Sequence, residues 1–400
     1  MNIRRFLSKV GDAKFSDLLS VFPMCIALLL SPFYKSKFGN TWAICERRDE
    51  ARDNGYHFFK FVTNLHPEQK CIYAIERECR DYEKVEKIIK GEEDKLIRFG
   101  SVMHWITYFT CEYIISSQSY RPNGYICTFF ERAGVFKPQH VFLQHGITIN
   151  NPEYLHPSMK RLKYFITATP QETEFVSKEI GHGDEVVKLC GFSRFDVLHE
   201  NRPVKGRIFV MPTWRKWLRF KSEEHEDAKA DFQSSEYILM WNKLLSDARL
   251  QELIEKKNLD FIFYPHPNMR GLINPQSMVG NGVKVIEGED IQDLLMSSQL
   301  LITDYSSVFF DMVYMKKPVI FYQFDEDKFR KYHYPKGWFD YKKTSFGKCC
   351  KRAEEVIDEI IRISEENYKT DTDYAREHER TFPLYDSKNS ERIYQLLHGE

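Results

Sequence analysis

The chain has no net charge to spend on a polyanion: 58 Lys and Arg are balanced by 58 Asp and Glu in 400 residues. That balance argues against a dedicated nucleic-acid binder, whose basic excess would show in the total. Metal and redox cysteine spacing is also missing. The nine cysteines, among them Cys25, Cys45, Cys71, Cys190 and the Cys349-Cys350 pair, form no CxxC, so they read as buried thiols of a reducing compartment and no metal site is expected. Long apolar runs are lacking too. The longest, Val21 to Tyr34, is bounded by Pro23 and Pro32 and falls short of the roughly 20 residues of a bilayer span. No convincing signal peptide opens the chain, and no fixed-period repeat or low-complexity tract interrupts it.

What is present is enough apolar sequence, 42%, to bury two ordinary cores. The polar stretch His199 to Gly206, with its proline and glycine, reads as the linker, giving an N-terminal domain over 1–200 and a C-terminal domain over 201–400. Within the first, the segment 16–38 is apolar with basic flanks: Arg4, Arg5, Lys9 and Lys14 before it, Lys35 and Lys37 after it. It fits a membrane-surface segment or a buried first helix and strand, and both readings stand. Beyond it, short apolar runs alternate with amphipathic ones in the rhythm of doubly wound α/β domains. Expected strands include Thr41 to Cys45, Cys71 to Ile75, Val141 to Gln144, Ile208 to Met211 and Phe261 to Tyr264. Tyr237 to Lys256 reads as one long helix, and Asn389 to Leu397 as a last helix packing back across the linker.

The stretch Leu300 to Tyr322, LLITDYSSVFFDMVYMKKPVIFY, organises the second half. An apolar run of strand length leads to the polar turn Asp304-Tyr305-Ser306-Ser307, then to a helical pattern stopped at Lys316-Lys317-Pro318, then to a second strand. Two serines at a helix start serve as caps, or turn hydroxyls and free N–H groups toward a phosphate. Elsewhere, His145-Gly146 follows an expected strand, where open α/β sheets place ligands, and the glycine lets backbone approach a substrate. Arg194 in CGFSRFD and Arg215 in PTWRKW carry planar forks suited to a diphosphate. His266 lies between Pro265 and Pro267, which restrict its backbone. Lys216, Trp217, Arg219, Phe220 and Lys221 interleave basic and aromatic residues, a pattern of anionic lipid or polymer contact or of a surface loop. Asp325-Glu326-Asp327 spells an acidic D-x-D that could hold Mg2+ on a diphosphate, although acids before a helix also complement its N-terminus.

Taken together, TDYSS with the following KKPVIFY, LQHGI, the H-P pair at His266, PTWR, G-x-x-R-x-D at Gly191, Arg194 and Asp196, and ERRDEARDNGYHFFK from Glu46 resemble the CDP-glycerol glycerophosphotransferase family. That family builds teichoic acids and related capsular polymers. The resemblance runs from Glu46 to about Glu359. Two departures stand out: Ser193 replaces a usual proline, and SFG replaces the usual PGP in the loop Trp338 to Gly347. The resemblance implies an α/β, GT-B-like fold, two Rossmann-like domains facing a central cleft, with the donor mainly on the second.

It further implies transfer of a polyol phosphate, glycerol phosphate first, from CDP-glycerol or CDP-ribitol to a hydroxyl of a lipid-linked glycan or polyol-phosphate acceptor, with CMP leaving. His145 would be the base, since a neutral imidazole accepts a proton at cellular pH. His266 would donate to the diphosphate or leaving group, and Ser306, Ser307, Arg215 and Arg194 would hold the phosphates with Gly146 close by. Asp304 would fix the turn or orient one of these groups. No cofactor is required by this scheme beyond an Mg2+ dependence left open by the acidic triplet. The protein would sit peripherally on the cytoplasmic face of the membrane and bind no nucleic acid. A GT-B glycosyltransferase using a nucleotide sugar is the alternative within the fold, and a non-catalytic membrane scaffold the alternative outside it.

Overall fold

Runs of β-branched and aromatic residues too short for helices become strands here, and their near-continuous apolarity makes them central strands of parallel sheets covered on both faces. A computed structural model describes residues 20–118, 123, 126–127, 130–131, 133–134, 136–158, 161–218, 232–269, 280 and 282–399. Arg4, Arg5, Lys9 and Lys14, the start of the 16–38 segment, Arg219, Phe220, Lys221 and the charged run 223–231 lie outside the described residues.

The first sheet holds β1 (Trp42–Ile44), β2 (Cys71–Ile75), β3 (Leu96–Arg98), β4 (Tyr113–Ser116), β5 (Gln139–Phe142), β6 (Tyr164–Thr167) and β7 (Val187–Leu189) in the order β3-β2-β1-β4-β5-β6-β7. The second holds β8 (Arg207–Val210), β9 (Asp260–Phe263), β10 (Val283–Val285), β11 (Leu300–Thr303), β12 (Val319–Tyr322) and β13 (Gly347–Cys350) in the order β10-β9-β8-β11-β12-β13. Every neighbouring pair is parallel. Each strand order therefore reverses once, at β1/β4 and at β8/β11, and such switch points open a crevice at the carboxyl ends of the strands. The α/β class expected from the sequence is the class observed.

The halves share side chains rather than merely abutting. Phe192, Phe195 and Leu198, from the stretch after β7, are buried in the same core as Phe309, Phe310, Val313 and Tyr314. The Phe195 ring lies 4.4 Å from that of Tyr314. In the other direction, the last helix, Asn389–His398, buries Ile393 and Leu397 against Trp42 and Phe58 of the first half. Asp196 holds that helix start by accepting from the Asn389 and Ser390 N–H groups at 2.8 and 2.9 Å.

One local expectation is corrected, and two elements are added that the sequence reading did not name. Tyr237 to Lys256 is two helices, Glu236–Leu245 and Ala248–Lys257, because the Asp247 carboxylate accepts from Arg249 N–H at 2.8 Å and starts a new helix there. The loop expected over Trp338 to Gly347 runs into a strand, Gly347–Cys350, paired with β12. Thr372–Thr381 is a helix that polar composition hid.

Candidate active site

The Asp304 to Ser307 turn leaves β11 at the switch point of the second sheet, and its shape is set by a buried carboxylate. Asp304 Oδ1 accepts from Thr213 N–H at 2.8 Å and Tyr305 N–H at 2.6 Å, which joins the turn to the PTWR loop after β8. Its own carbonyl accepts from Gln323 Nε2 at 2.7 Å. Ser306 and Ser307 are half-buried. Ser306 Oγ accepts from Val308 N–H at 3.3 Å, while the helix proper begins only at Phe309 and runs six residues. Asp304 is thus the residue that fixes the turn.

Arg215 does not have a free fork for a phosphate, contrary to the sequence-based expectation. It is fully buried. Nε and Nη2 donate to the two oxygens of Asp325 at 2.7 and 3.0 Å, and Nη1 donates to the Thr213 carbonyl at 2.7 Å. Nη2 also lies 2.9 Å from Asp304 Oδ2. Burial opposes its charge, and Asp304 and Asp325 more than restore it. The rings of Tyr237, Tyr305 and Phe329 surround it at 4.9 to 5.2 Å. Arg215 is a strut under the turn. The same pairing engages Asp325, the first acid of the D-x-D, which also accepts from Tyr305 OH at 3.2 Å.

Arg194 is likewise internal. Nε and Nη2 grip Asp311 through both carboxylate oxygens at 2.8 Å, and Nη1 reaches Asp53 at 3.2 Å. A guanidinium so occupied ties the halves together instead of meeting a diphosphate. Around it, Arg194 N–H donates to Asn54 Oδ1 at 3.0 Å, and Gln292 Nε2 donates to the Arg194 carbonyl at 3.0 Å. Asn54 therefore holds the turn in which Ser193 replaces proline. His57 Nε2 lies 2.7 Å from Gln292 Oε1, and burial lowers its pKa to about 4. With Gln292 Nε2 already donating, Oε1 is left as an acceptor, so the neutral ring is the donor.

The His145-Gly146 loop leaves β5 of the first sheet and meets the serine turn directly. A Cβ built on Gly146 would lie 2.7 Å from Ser307 Oγ. Gly146 is needed for that close approach rather than for a left-handed backbone. His145 itself is exposed. Behind it, Asn54 Nδ2 donates to the Gln144 carbonyl at 2.7 Å, and Gln144 has a left-handed φ of 60°.

His266 follows β9 and is half-buried. Its Nδ1 accepts from Asn268 N–H at 3.1 Å, which leaves the neutral ring's proton on Nε2. Its ring lies 6.3 Å from Trp214, next to the Thr213 that Asp304 binds. Both histidines are therefore linked to one turn, His145 through Gly146 and Ser307, His266 through Trp214 and Thr213. A cavity of about 170 Å³ is lined by Phe310, Trp338, Phe339, Lys343 and Arg380. None of the site residues expected from the sequence lines it.

Sequence reasoning missed Glu172, Gln144, Thr148 and Asp311. Asp311 left a signal, a lone acid in the aromatic helix FFDMVY, which must find a cation once buried. Glu172 left none, since an acid in a first helical turn is ordinary.

A family model described as CDP-Glycerol:Poly(glycerophosphate) glycerophosphotransferase matches residues 34–399. The chain is 30% identical over 363 residues to the minor teichoic acid biosynthesis protein GgaB of Bacillus subtilis (strain 168), covering 89% of this chain and 39% of that protein. It is 38% identical over 113 residues to the teichoic acid poly(glycerol phosphate) polymerase of the same organism, covering 27% of this chain and 14% of that one. The chain thus spans about two-fifths or less of the length of these relatives. The wall teichoic acid polymerase TagF superposes with a TM-score of 0.64 at 16% identity, covering 97% of this chain and 98% of that chain. At that identity the likeness bears on the fold alone, which is α/β with two GT-B-like halves.

Proposed function

The chain belongs to the CDP-glycerol:poly(glycerophosphate) glycerophosphotransferase family, and from that premise we propose that it transfers a polyol phosphate from a CDP-polyol to an acceptor hydroxyl in teichoic acid or capsular polymer synthesis. Glycerol phosphate is the group transferred. The relatives named for teichoic acid and poly(glycerol phosphate) synthesis support this, as does a structure of a variant of TagF soaked with CDPG. The observation that carries it is local: Gly146, next to His145 in one half, packs on Ser307 of the other.

In this reading the acceptor oxygen attacks the phosphorus nearest the polyol. The new O–P bond forms as the bond to the bridging oxygen breaks, CMP leaves with that electron pair, and His145 takes the hydroxyl proton. Ser306 and Ser307 donate to the phosphate oxygens, and His266 donates through Nε2–H to the diphosphate or the departing CMP. Asp304, Arg215 and Asp325 act beneath, holding the serine turn rigid so that its donors are preorganised. No step is assigned to Mg2+.

The acceptor in this proposal is a lipid-linked glycan or polyol-phosphate chain, reached from the cytoplasmic face of the membrane. The helix Val21–Phe38 supports a peripheral contact: it packs Met24 and Ala27 inward while Phe22, Leu29 and Phe33 are 74%, 76% and 80% exposed. Lys35 and Lys37 lie in its last turn, suited to anionic headgroups. Among the described residues no helix is long and apolar enough to cross a membrane.

The test is a donor panel of CDP-glycerol, CDP-ribitol and UDP-sugars with nucleotide release as readout. CMP from CDP-glycerol is expected, and UDP release with CDP-polyols untouched would overturn the proposal in favour of a glycosyltransferase.

A further inference from the structure

The loop that carries His145 is gripped at both ends by one buried carboxylate. Glu172, fully buried at the start of the helix Pro170–Glu174, accepts at Oε1 from Gln144 Nε2 at 2.8 Å and from Thr148 N–H at 2.6 Å. Its Oε2 accepts from Ala168 N–H at 2.9 Å, anchoring the arrangement to the end of β6. Thr148 Oγ1 closes the circuit by donating to Gln144 Oε1 at 3.0 Å. Both residues flanking the segment 145–147 are thereby fixed to one group.

The grip has something to hold. A left-handed backbone costs a non-glycine residue about 1–2 kcal/mol, and Gln144 adopts it immediately before His145. Strain of this kind persists only where the surroundings over-determine it. Here the Gln144 side chain is held by Glu172 and Thr148, and its carbonyl by Asn54. At the other end, the Thr148 carbonyl accepts from Trp338 Nε1 at 2.7 Å, so the clamp is continuous with the donor half.

We propose that Glu172 is a positioning residue: acting through Gln144 and Thr148, it holds the strained turn that aims the His145 imidazole at the cleft. This rests on the reading of His145 as the base. Glu172 touches no substrate and takes no proton from it. Its removal should let Gln144 relax and swing His145 away, and a misplacement near 1 Å is enough to cost on the order of 10²-fold in rate.

The experiment compares Glu172→Gln and Gln144→Ala, each alone and combined with His145→Ala, using CMP release from CDP-glycerol. Each single variant should lower kcat about tenfold or more with the donor KM unchanged, and should lower it no further in the His145→Ala background. Equal losses in both backgrounds, or an unchanged kcat, would overturn the proposal. Should Glu172→Gln fail to fold, Gln144→Ala decides. A readout free of turnover uses the His145 imidazole NMR signals, assigned by their loss in His145→Ala: they should shift in Gln144→Ala, and identical signals and titration would overturn the proposal. Full turnover in His145→Ala would instead remove the base reading itself, an outcome distinct from failure of the clamp.

Discussion

Gly146→Ala is the sharpest perturbation of the contact between the halves. The added methyl would stand 2.7 Å from Ser307 Oγ but 3.8 Å from Ser307 Cβ. The first distance is impossible for a carbon and an oxygen, and the second is ordinary contact. Rotating Ser307 to another staggered well relieves the clash with little backbone movement, so the stability loss should stay near or below about 1 kcal/mol. The hydroxyl, however, is then turned away from Gly146 and the cleft. If Ser307 Oγ donates to a phosphate oxygen, the loss is that of a hydrogen bond to a charged group, about 1.5–3 kcal/mol, or roughly 10- to 150-fold in donor affinity. Ser307→Ala should cost the same, and the double variant Gly146→Ala/Ser307→Ala should equal the single Ser307→Ala. Calorimetric titration of CDP-glycerol into the four proteins measures the cycle, with thermal unfolding alongside. Fully additive affinity losses, or a Gly146→Ala protein that binds donor like the parent, would refute the reasoning.

Arg194→Met should cost about 3–5 kcal/mol of stability by leaving Asp311 buried without its partner, and Arg194→Met/Asp311→Leu should recover most of it. Lost donor affinity with unaltered chemical denaturation would return Arg194 to the phosphate site. His57 has a folded pKa near 4, below its unfolded value of 6.5, so its contribution is complete above pH 6.5 and is lost as pH falls toward 4. The residue as a whole is half-buried, so the loss is at most about 3 kcal/mol. His57→Gln should flatten that part of the stability profile, and parallel profiles for the two proteins would contradict it. Serine at Phe22, Leu29 and Phe33 together should abolish sedimentation with vesicles containing anionic lipid while leaving CMP release from a soluble acceptor intact. Unchanged sedimentation would place the membrane contact elsewhere.

The two sheets were legible because buried parallel strands read as apolar runs, and the turn after β11 was legible because Asp304-Tyr305-Ser306-Ser307 interrupts one. Roles of charged residues were less so. Arg194 and Arg215 show in sequence as cations, but whether a guanidinium meets a substrate or a carboxylate depends on what the fold brings to it. Asp311 lies 117 residues from Arg194 and Asp325 lies 110 from Arg215, separations that no local pattern encodes. Gly146 was legible as a point of close approach, though what approaches is Ser307. Glu172 was invisible because its importance comes from three donors converging on it in space. The helix Thr372–Thr381 was hidden because only Tyr374, His378 and Thr381 of its ten residues are buried.

The central claim is that His145 performs the proton transfer at a site the serine turn completes. Rapid-quench measurement of CMP formation on mixing His145→Ala with saturating CDP-glycerol and acceptor tests it most directly. The account predicts a rate lower by on the order of 10²-fold or more, with donor affinity preserved. A single-turnover rate within a few-fold of the parent would contradict it.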